Sequence, residues 1–262
     1  MKRIRVIPIL LLAQSGMVKT ERFAKPRYLG DPINAVKIFN EKRADELVLL
    51  DIEATAKGRI EFDWISDIVS EAFMPIGYGG GVASVEQAAE LFKRGVEKIV
   101  VNTAAAENPN LISQIAARYG NQAVVASIDV KMNFWKKSRV YTRNGRKEAA
   151  ADPVTLARAC RDAGAGEIIL TSIDREGTFG GYDTALLETV ASAVDIPVVA
   201  NGGAGAVDDF KRAVTEGKCS AVAASSMFVF AKKDEGMLIS YPSEQELQDK
   251  FWSRIPRSGA GI

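Results

Sequence analysis

The chain has 262 residues, with 47% hydrophobic and 26% charged side chains, as is usual for a globular domain. Its net charge of +1 argues against nucleic acid as a partner, because a phosphate backbone requires a concentrated basic face. It contains no histidine, which excludes a histidine general base and a Ser-His-Asp triad. The two cysteines form neither a disulfide framework nor a zinc motif. The sequence therefore predicts a cytoplasmic protein without a metal or a cofactor.

The N-terminal segment MKRIRVIPILLLAQSG joins a basic start to a short apolar run, as a signal peptide does. We interpret the run as a buried first strand, because no small-residue cleavage site follows it. Every apolar run is far shorter than the roughly 20 residues that span a bilayer, so we expect no membrane partner.

Further along, short apolar runs alternate with amphipathic segments. Runs without polar alternation are typical of parallel strands buried on both faces, and they predict strands over residues 4–11, 46–52, 75–79, 98–102, 122–129, 166–172, 196–200 and 220–224. The amphipathic segments predict helices over residues 31–43, 61–72, 84–94, 108–119, 152–164, 183–193, 205–216 and 243–253. This alternation predicts an α/β fold, a (β/α)₈ TIM barrel, as a single domain over residues 1–262.

Two longer segments interrupt the alternation, both after strands, at the end where barrel active sites are built. Residues 12–30 follow the first strand. Residues 131–151 follow the fifth strand and predict a hairpin with its turn at Asn144-Gly145.

The chain also repeats itself. Residues 75–105 (PIGYGGGVASVEQAAELFKRGVEKIVVNTAA) match residues 197–227 (PVVANGGAGAVDDFKRAVTEGKCSAVAASSM), and Glu46 aligns with Glu167 in a second pair of segments. A repeat of this length, with the order strand–loop–helix–strand, predicts two half-barrels, about 1–120 and 121–262.

Each half has a glycine-rich turn after a strand, Gly79–Gly81 in the first and Gly202–Gly205 in the second. Glycine lets backbone N–H groups approach an anion, and the following helix directs its positive N-terminus at that anion. Small polar residues follow the next strand, at Asn102-Thr103 and at Ala224-Ser225. The sequence predicts a ligand with a phosphate at either end; the alternative is inherited loop geometry in which one site no longer binds.

Asp129 ends the fifth strand among apolar residues, where burial raises the pKa of a carboxyl group and suits it to general acid–base catalysis. The alternative is a structural acid bonded to loop amides. The repeat partner of this strand is the first strand, which has no acid. We expect Ile9 at the position that faces Asp129.

Several segments resemble the cyclase subunit of imidazole glycerol phosphate synthase (HisF): KRI near the start, DELVLLDI, GGG, NTAAAENP, QAVVASIDVK, GEIILTSIDREGT, GYD, NGGAG and AAS. The resemblance runs from about residue 2 to residue 230. It implies a barrel that takes ammonia from a HisH-like glutaminase subunit. It also implies that the barrel joins the ammonia to a phosphoribulosyl substrate, forming imidazole glycerol phosphate and an aminoimidazole carboxamide ribotide.

The resemblance assigns roles to individual residues. Asp129 would be the general acid, and Thr171 and Glu176 would line the site. The phosphates would be held by Gly81, Asn102, Thr103, Gly177, Gly203, Ala204, Ala224 and Ser225, and Lys19 matches a basic residue of the substrate loop. The family usually has aspartate where this chain has Glu176 and serine where it has Asn201.

A ring of alternating charges closes the bottom of the barrel in that family, as the entrance for ammonia. The matching residues are Arg3, Glu46, Lys98 and Glu167. From the residues alone, these charges at strand starts are equally a salt-bridge network that closes the barrel floor.

The family's second catalytic acid lies on the first strand, where this chain has aliphatic residues. That departure and the segment GMLISYPSEQEL (236–247) resemble a paralogous branch linked to the amidation of bacterial surface sugars, with a third, ATP-dependent amidotransferase as acceptor of the ammonia. We therefore expect an ammonia-delivering subunit for surface-polysaccharide (lipopolysaccharide) sugar amidation. The alternatives are a working cyclase of histidine biosynthesis, with the acid replaced from a loop, and a non-catalytic activator of the glutaminase.

Overall fold

Eight parallel strands form a closed barrel in the computed structural model, which describes residues 3–231 and 236–255. The barrel strands are β1 (Arg5–Ala13), β2 (Leu47–Asp51), β3 (Ile76–Gly79), β4 (Lys98–Val101), β5 (Val124–Met132), β6 (Glu167–Ser172), β7 (Val198–Asn201) and β8 (Ala221–Ala224). Each strand pairs with the next, and β8 pairs with β1, so the eight-stranded barrel is closed. The predicted (β/α)₈ barrel is confirmed.

Eight helices lie between and after these strands, close to their predicted positions. They are α1 (Pro32–Glu41), α2 (Phe62–Ser70), α3 (Val85–Lys93), α4 (Asn110–Tyr119), α5 (Pro153–Asp162), α6 (Thr184–Ala191), α7 (Val207–Thr215) and α8 (Glu244–Lys250). Their starts follow the capping signals of the sequence: Asp31 and Asp152 accept hydrogen bonds from first-turn N–H groups, and Ser84 forms a capping box with Gln87.

Both interruptions are built from antiparallel strands. The segment after β1 contains a first hairpin, Gly16–Glu21 with Ala24–Gly30, which sequence patterning did not predict as strands. The segment after β5 contains a second hairpin, Ser138–Thr142 with Lys147–Glu148, and its turn at Asn144-Gly145 is confirmed. Short helices also follow three strands, at Ala54–Lys57, Thr103–Glu107 and Ser226–Val229.

The interior of the barrel has an aliphatic layer of its own, separate from the core between strands and helices. Its members are Ile7, Ile9, Leu11, Ala13, Val18, Val48, Val100, Val125, Ile169, Val199, Ala221 and Ala223. Because side chains alternate across a strand, every second residue of a barrel strand points to this layer. Among the described residues, no helix is long and apolar enough to cross a membrane.

Candidate active site

A cavity of about 490 Å³ opens at the C-terminal ends of the strands. Seven of the predicted site residues line it: Gly81, Asn102, Thr103, Asp129, Thr171, Glu176 and Ser225. The other predicted residues of this end, which are Lys19, Gly177, Gly203, Ala204 and Ala224, lie outside the lining. The site therefore consists of a pocket around Asp129 and a supporting shell behind it.

Asp129 is buried at the base of this pocket, with 8% of its surface exposed. Its carboxylate accepts hydrogen bonds from the Asn102 amide (3.2 Å) and the Ser127 hydroxyl (3.5 Å), and the Thr171 hydroxyl also bonds to it. Burial, with a smaller contribution from the nearby charge of Glu176, raises the pKa of Asp129 to about 7, against the opposite effect of the hydrogen bonds from Thr171 and Ser127. A carboxyl group with this pKa can give or take a proton near neutral pH.

The strand register places Leu11, not Ile9, at the position equivalent to Asp129. Asp129 pairs with Thr171 on the neighbouring strand, and Leu11 pairs with Leu50 in the same way. Since Glu46 aligns with Glu167 in the repeat, Leu50 aligns with Thr171. The expectation of Ile9 was wrong by two residues, a shift that keeps a side chain on the same face but moves it one layer along the barrel. Leu11 lines the pocket opposite the acid.

Lys19 and Glu176 form a buried ion pair beside the pocket, with side chains that are 3% and 6% exposed. The Lys19 ammonium also donates to the backbone carbonyl of Thr20 (2.9 Å), and the Arg22 N–H donates to the carbonyl of Glu176 (2.9 Å). Gly177 has φ of +79° and passes close to the backbone of the first hairpin. The pair and these contacts hold the first hairpin against the loop after β6.

In the first half, groups of the expected phosphate site already form hydrogen bonds with other protein groups. The Gly81 N–H donates to the Thr55 hydroxyl (3.2 Å), and the Thr103 hydroxyl accepts from the Arg143 N–H (3.3 Å).

The second glycine-rich turn differs from the first. Gly203 has φ of +111°, and an added Cβ would lie 2.3 Å from the carbonyl oxygen of Gly181, so only glycine fits there. Ala204 and Ala224 are buried beside it. The Ser225 hydroxyl is buried in the pocket lining and has no hydrogen-bond partner among the described residues.

At the opposite end of the barrel, the charged ring consists of Arg5, Glu46, Lys98 and Glu167. Lys98 lies 2.8 Å from Glu46 and 3.1 Å from Glu167, and the Arg5 guanidinium pairs with both carboxylates. The prediction that Arg3 belongs to this ring was wrong.

Arg3 lies at the rim instead. Its guanidinium pairs with Asp45 (3.1 Å) and Glu244 (3.2 Å), and it stacks over the ring of Trp252 at 4.0 Å. Arg3 and Arg5 lie on the same face of the segment, and strand β1 begins at Arg5, which brings that residue to the level of the other three charges.

A continuous order of side chains connects the charged ring to the pocket. Along each of three strands, every second residue is in turn a charged residue of the ring, an aliphatic residue of the middle layer and a residue that lines the pocket. These residues are Glu46, Val48 and Leu50 at β2; Lys98, Val100 and Asn102 at β4; and Glu167, Ile169 and Thr171 at β6. The barrel thus has a charged floor, an aliphatic middle and a pocket with an acid at the top.

The fold and the pocket define the class of the protein as a (β/α)₈ barrel with a candidate active site at the C-terminal ends of its strands. A family model described as "Histidine biosynthesis protein" matches residues 5–233. A Pseudomonas aeruginosa protein named "Putative imidazole glycerol phosphate synthase subunit hisF2" is 48% identical, over 94% of this chain and 99% of that protein. A Vibrio vulnificus protein named "Putative imidazole glycerol phosphate synthase subunit hisF3" is 45% identical, over 94% and 95%. An Alkaliphilus metalliredigens protein named "Imidazole glycerol phosphate synthase subunit HisF" is 40% identical, over 86% and 89%.

These matches cover most of the chain and most of each relative. The chain therefore belongs to the HisF family of imidazole glycerol phosphate synthase subunits.

Proposed function

We propose that this subunit delivers ammonia from a glutaminase to an acceptor outside the usual cyclase chemistry, and that it supports the amidation of a bacterial surface-polysaccharide sugar. The proposal rests on one combined observation: the path through the barrel is present, whereas the acid of the first strand is absent. The charged ring and the aliphatic middle are present, whereas Leu11 stands where the register calls for a partner to Asp129.

The aliphatic middle is suited to ammonia rather than ammonium. The free energy of moving an unpaired charge into an apolar layer is unfavourable by many kcal/mol. For a small neutral molecule, the unfavourable contribution is only the loss of its hydrogen bonds to water. The ring of Arg5, Glu46, Lys98 and Glu167 would exclude water and ions at the floor, and a HisH-like glutaminase docked there would release ammonia into the barrel.

The absence of an acid on the first strand restricts the chemistry at the other end. Ring closure in the family uses two acids on opposite strands, and here Asp129 faces Leu11 across the pocket. Loss of one essential acid–base group lowers a rate by about 10²–10⁴-fold. Ammonia that reaches this pocket would then be available to a third, ATP-dependent amidotransferase in the cytoplasm. The higher identity to the relatives named hisF2 and hisF3 (48% and 45%) than to the HisF of Alkaliphilus metalliredigens (40%) supports a paralogous branch.

A cyclase of histidine biosynthesis is the second candidate, and Glu176 is the observation that favours it. Its carboxylate lines the same pocket as Asp129, close enough to raise the pKa of that acid. In this reading the pair of carboxyl groups is Asp129 with Glu176, and the two glycine-rich turns hold the phosphates of the phosphoribulosyl substrate.

One assay separates the two candidates. The purified chain is given the phosphoribulosyl carboxamide substrate and excess ammonium salt at alkaline pH, and ribotide release is followed by mass spectrometry, with the Alkaliphilus metalliredigens relative as positive control. We expect no release by this chain. Release that disappears in Asp129→Asn would establish the cyclase and refute the delivery role.

A second assay tests delivery itself. The chain is copurified with a HisH-like glutaminase, and nitrogen from amide-labelled glutamine is traced into the product of an ATP-dependent sugar amidotransferase. We expect labelled product from the complex and a large loss in Arg5→Ala, with Arg3→Ala as the matched control. Failure to bind any glutaminase would refute the proposal.

A further inference from the structure

Asn201 ends strand β7 on the interior face of the barrel, two residues beyond Val199 of the aliphatic layer. It lines the pocket and is 6% exposed. It belongs to a set of polar side chains directly above the aliphatic layer, here called the exit ring: Asn102, Ser127, Asp129, Thr171 and Asn201. A molecule that leaves the aliphatic layer meets these groups first.

The hydrogen bonds of the exit ring fix how the Asn201 amide is oriented. Thr171 has one hydroxyl proton, and its bond to Asp129 uses that proton. The Thr171 oxygen therefore accepts from Asn201, whose Nδ2 lies 3.1 Å away. With Nδ2 turned toward Thr171, the carbonyl oxygen Oδ1 is the part of the Asn201 amide that is left for another partner.

This oxygen is a buried acceptor of the exit ring without a hydrogen-bond partner in the described chain. The Asn102 amide donates to the Ser127 carbonyl (3.0 Å) and to Asp129 (3.2 Å), and the Ser127 hydroxyl lies 3.5 Å from Asp129. Asn201 Oδ1 has no partner within the described part of the chain although it is buried. A buried carbonyl without a donor is unfavourable, so the position favours a ligand that brings an N–H or O–H group.

We propose that Asn201 Oδ1 is the docking acceptor for ammonia as it leaves the aliphatic layer. The inference rests on the proposed function, in which ammonia takes this path, and it adds the group that receives it. Ammonia has three N–H donors and one lone pair. A hydrogen bond from one N–H to Asn201 holds the nitrogen in the pocket and leaves its lone pair free for an electrophile.

A neutral carbonyl suits this task better than a carboxylate would. A carboxylate at the same place would favour ammonium, whose nitrogen has no free lone pair, over ammonia. The Asn201 amide is held by Thr171, which is held by Asp129, so the acceptor and the buried acid Asp129 form one connected set.

The test follows the Asn201 side-chain amide by NMR in the isolated barrel, labelled with ¹⁵N in its asparagine side chains. The pocket is open to solvent, so ammonia reaches Asn201 without crossing the charged ring. The Asn201 signal is assigned by its loss in Asn201→Ser, and Asn110→Ser, at an exposed residue of α4, is the matched control. The protein is titrated with ammonium chloride at alkaline pH, and in parallel with potassium chloride.

We expect a saturable shift of the Asn201 signal with ammonium chloride and none with potassium chloride. Thr171→Val, which removes the oxygen that orients the amide, should weaken the apparent affinity roughly tenfold, as expected for one hydrogen bond. An equal response to potassium would identify a general cation site, and no saturable response would leave Asn201 without this role; either result overturns the inference. Because neither a glutaminase nor an acceptor is present, failure here is distinct from failure of the delivery role, which the labelled-glutamine experiment tests.

Discussion

The two halves of the barrel have equivalent strands but different side chains at the pocket. In the second half, Asp129 and Thr171 lie side by side on adjacent strands; in the first half, the same two positions are Leu11 and Leu50. At the floor the halves remain alike, because Glu46 and Glu167 both pair with Lys98. The two halves therefore differ at these paired positions of the pocket, whereas the charged ring at the floor takes a carboxylate from each half.

The glycine-rich turns differ in the same direction. Protein groups already bond Gly81 and Thr103 in the first half, whereas Ser225 in the second half has a buried hydroxyl without a partner in the described chain. The second half therefore offers an acid at Asp129 and an unpartnered hydroxyl at Ser225, although the Gly205 N–H of its glycine-rich turn already donates to Asp209 (2.9 Å).

The largest expected effect comes from making the first half like the second. Leu11→Asp places a carboxyl group opposite Asp129, and we expect it to give the ribotide release that the parent chain lacks, because an essential acid–base group changes a rate by about 10²–10⁴-fold. Ile9→Asp is the matched control, because it adds the same group on the same face one layer lower. Equal activity in both variants, or none in either, would show that the missing acid is not what separates the halves. The measurement is ammonia-dependent ribotide release.

The next effect concerns the ionisation of Asp129, which has no counterpart in the first half. Burial raises its pKa from 3.8 to about 7, so the folded state holds the proton more tightly than the unfolded chain. Its contribution to stability is complete below pH 3.8 and is lost as the pH rises through 7, by about 4 kcal/mol in total.

The free energy of unfolding of the parent chain should therefore fall relative to that of Asp129→Asn between pH 4 and pH 8, as measured by urea denaturation. A difference that stays constant across this range would contradict the raised pKa of Asp129.

A smaller effect separates the two arginines at the floor. Arg5→Ala leaves the buried carboxylates of Glu46 and Glu167 with Lys98 alone, and we expect a loss of about 2–3 kcal/mol, below the 3–5 kcal/mol for a fully buried pair. Arg3→Ala removes half-exposed contacts and should cost about 1 kcal/mol. The free energy of unfolding from urea titration measures both. Equal losses would place Arg3 in the ring after all.

The prediction of Arg3 in the charged ring, where the structure has Arg5, illustrates what a sequence can and cannot establish. Apolar runs and capping residues predicted all eight strands and helices of the barrel, because each depends on local periodicity. Arg3 and Arg5 are two residues apart in the sequence, as are Ile9 and Leu11, and a period of two cannot choose between the members of either pair. Only pairing with the neighbouring strand fixes the layer, and that pairing is set by distant parts of the chain.

The sequence alone also could not predict that the Asn201 carbonyl oxygen lacks a hydrogen-bond partner in the described chain. Its difference from the family's usual serine was visible, yet the orientation of its amide depends on Thr171, a contact across two strands. Patterning likewise missed the first hairpin, because its strand Ala24–Gly30 is mostly exposed and lacks the continuous apolar run that identified the barrel strands.

The smallest expected effect compares the hydroxyls of the two glycine-rich turns. Thr103→Ala removes the acceptor of the Arg143 N–H and should cost about 0.5–1 kcal/mol in the free energy of unfolding. Ser225→Ala should cost nothing measurable or stabilise slightly, because it deletes a buried hydroxyl that has no partner in the described chain. The two substitutions should affect phosphate binding in the reverse order, with the larger loss of affinity in Ser225→Ala.

Calorimetry with inorganic phosphate should therefore give affinity weakened roughly tenfold in Ser225→Ala and less in Thr103→Ala, since Thr103 must first give up its bond to Arg143. If both variants lose phosphate binding equally, the two turns are equivalent in binding, and the asymmetry of the halves ends at Asp129. If Ser225→Ala destabilises the fold as Thr103→Ala does, the Ser225 hydroxyl has a structural role instead of an open place for an anion.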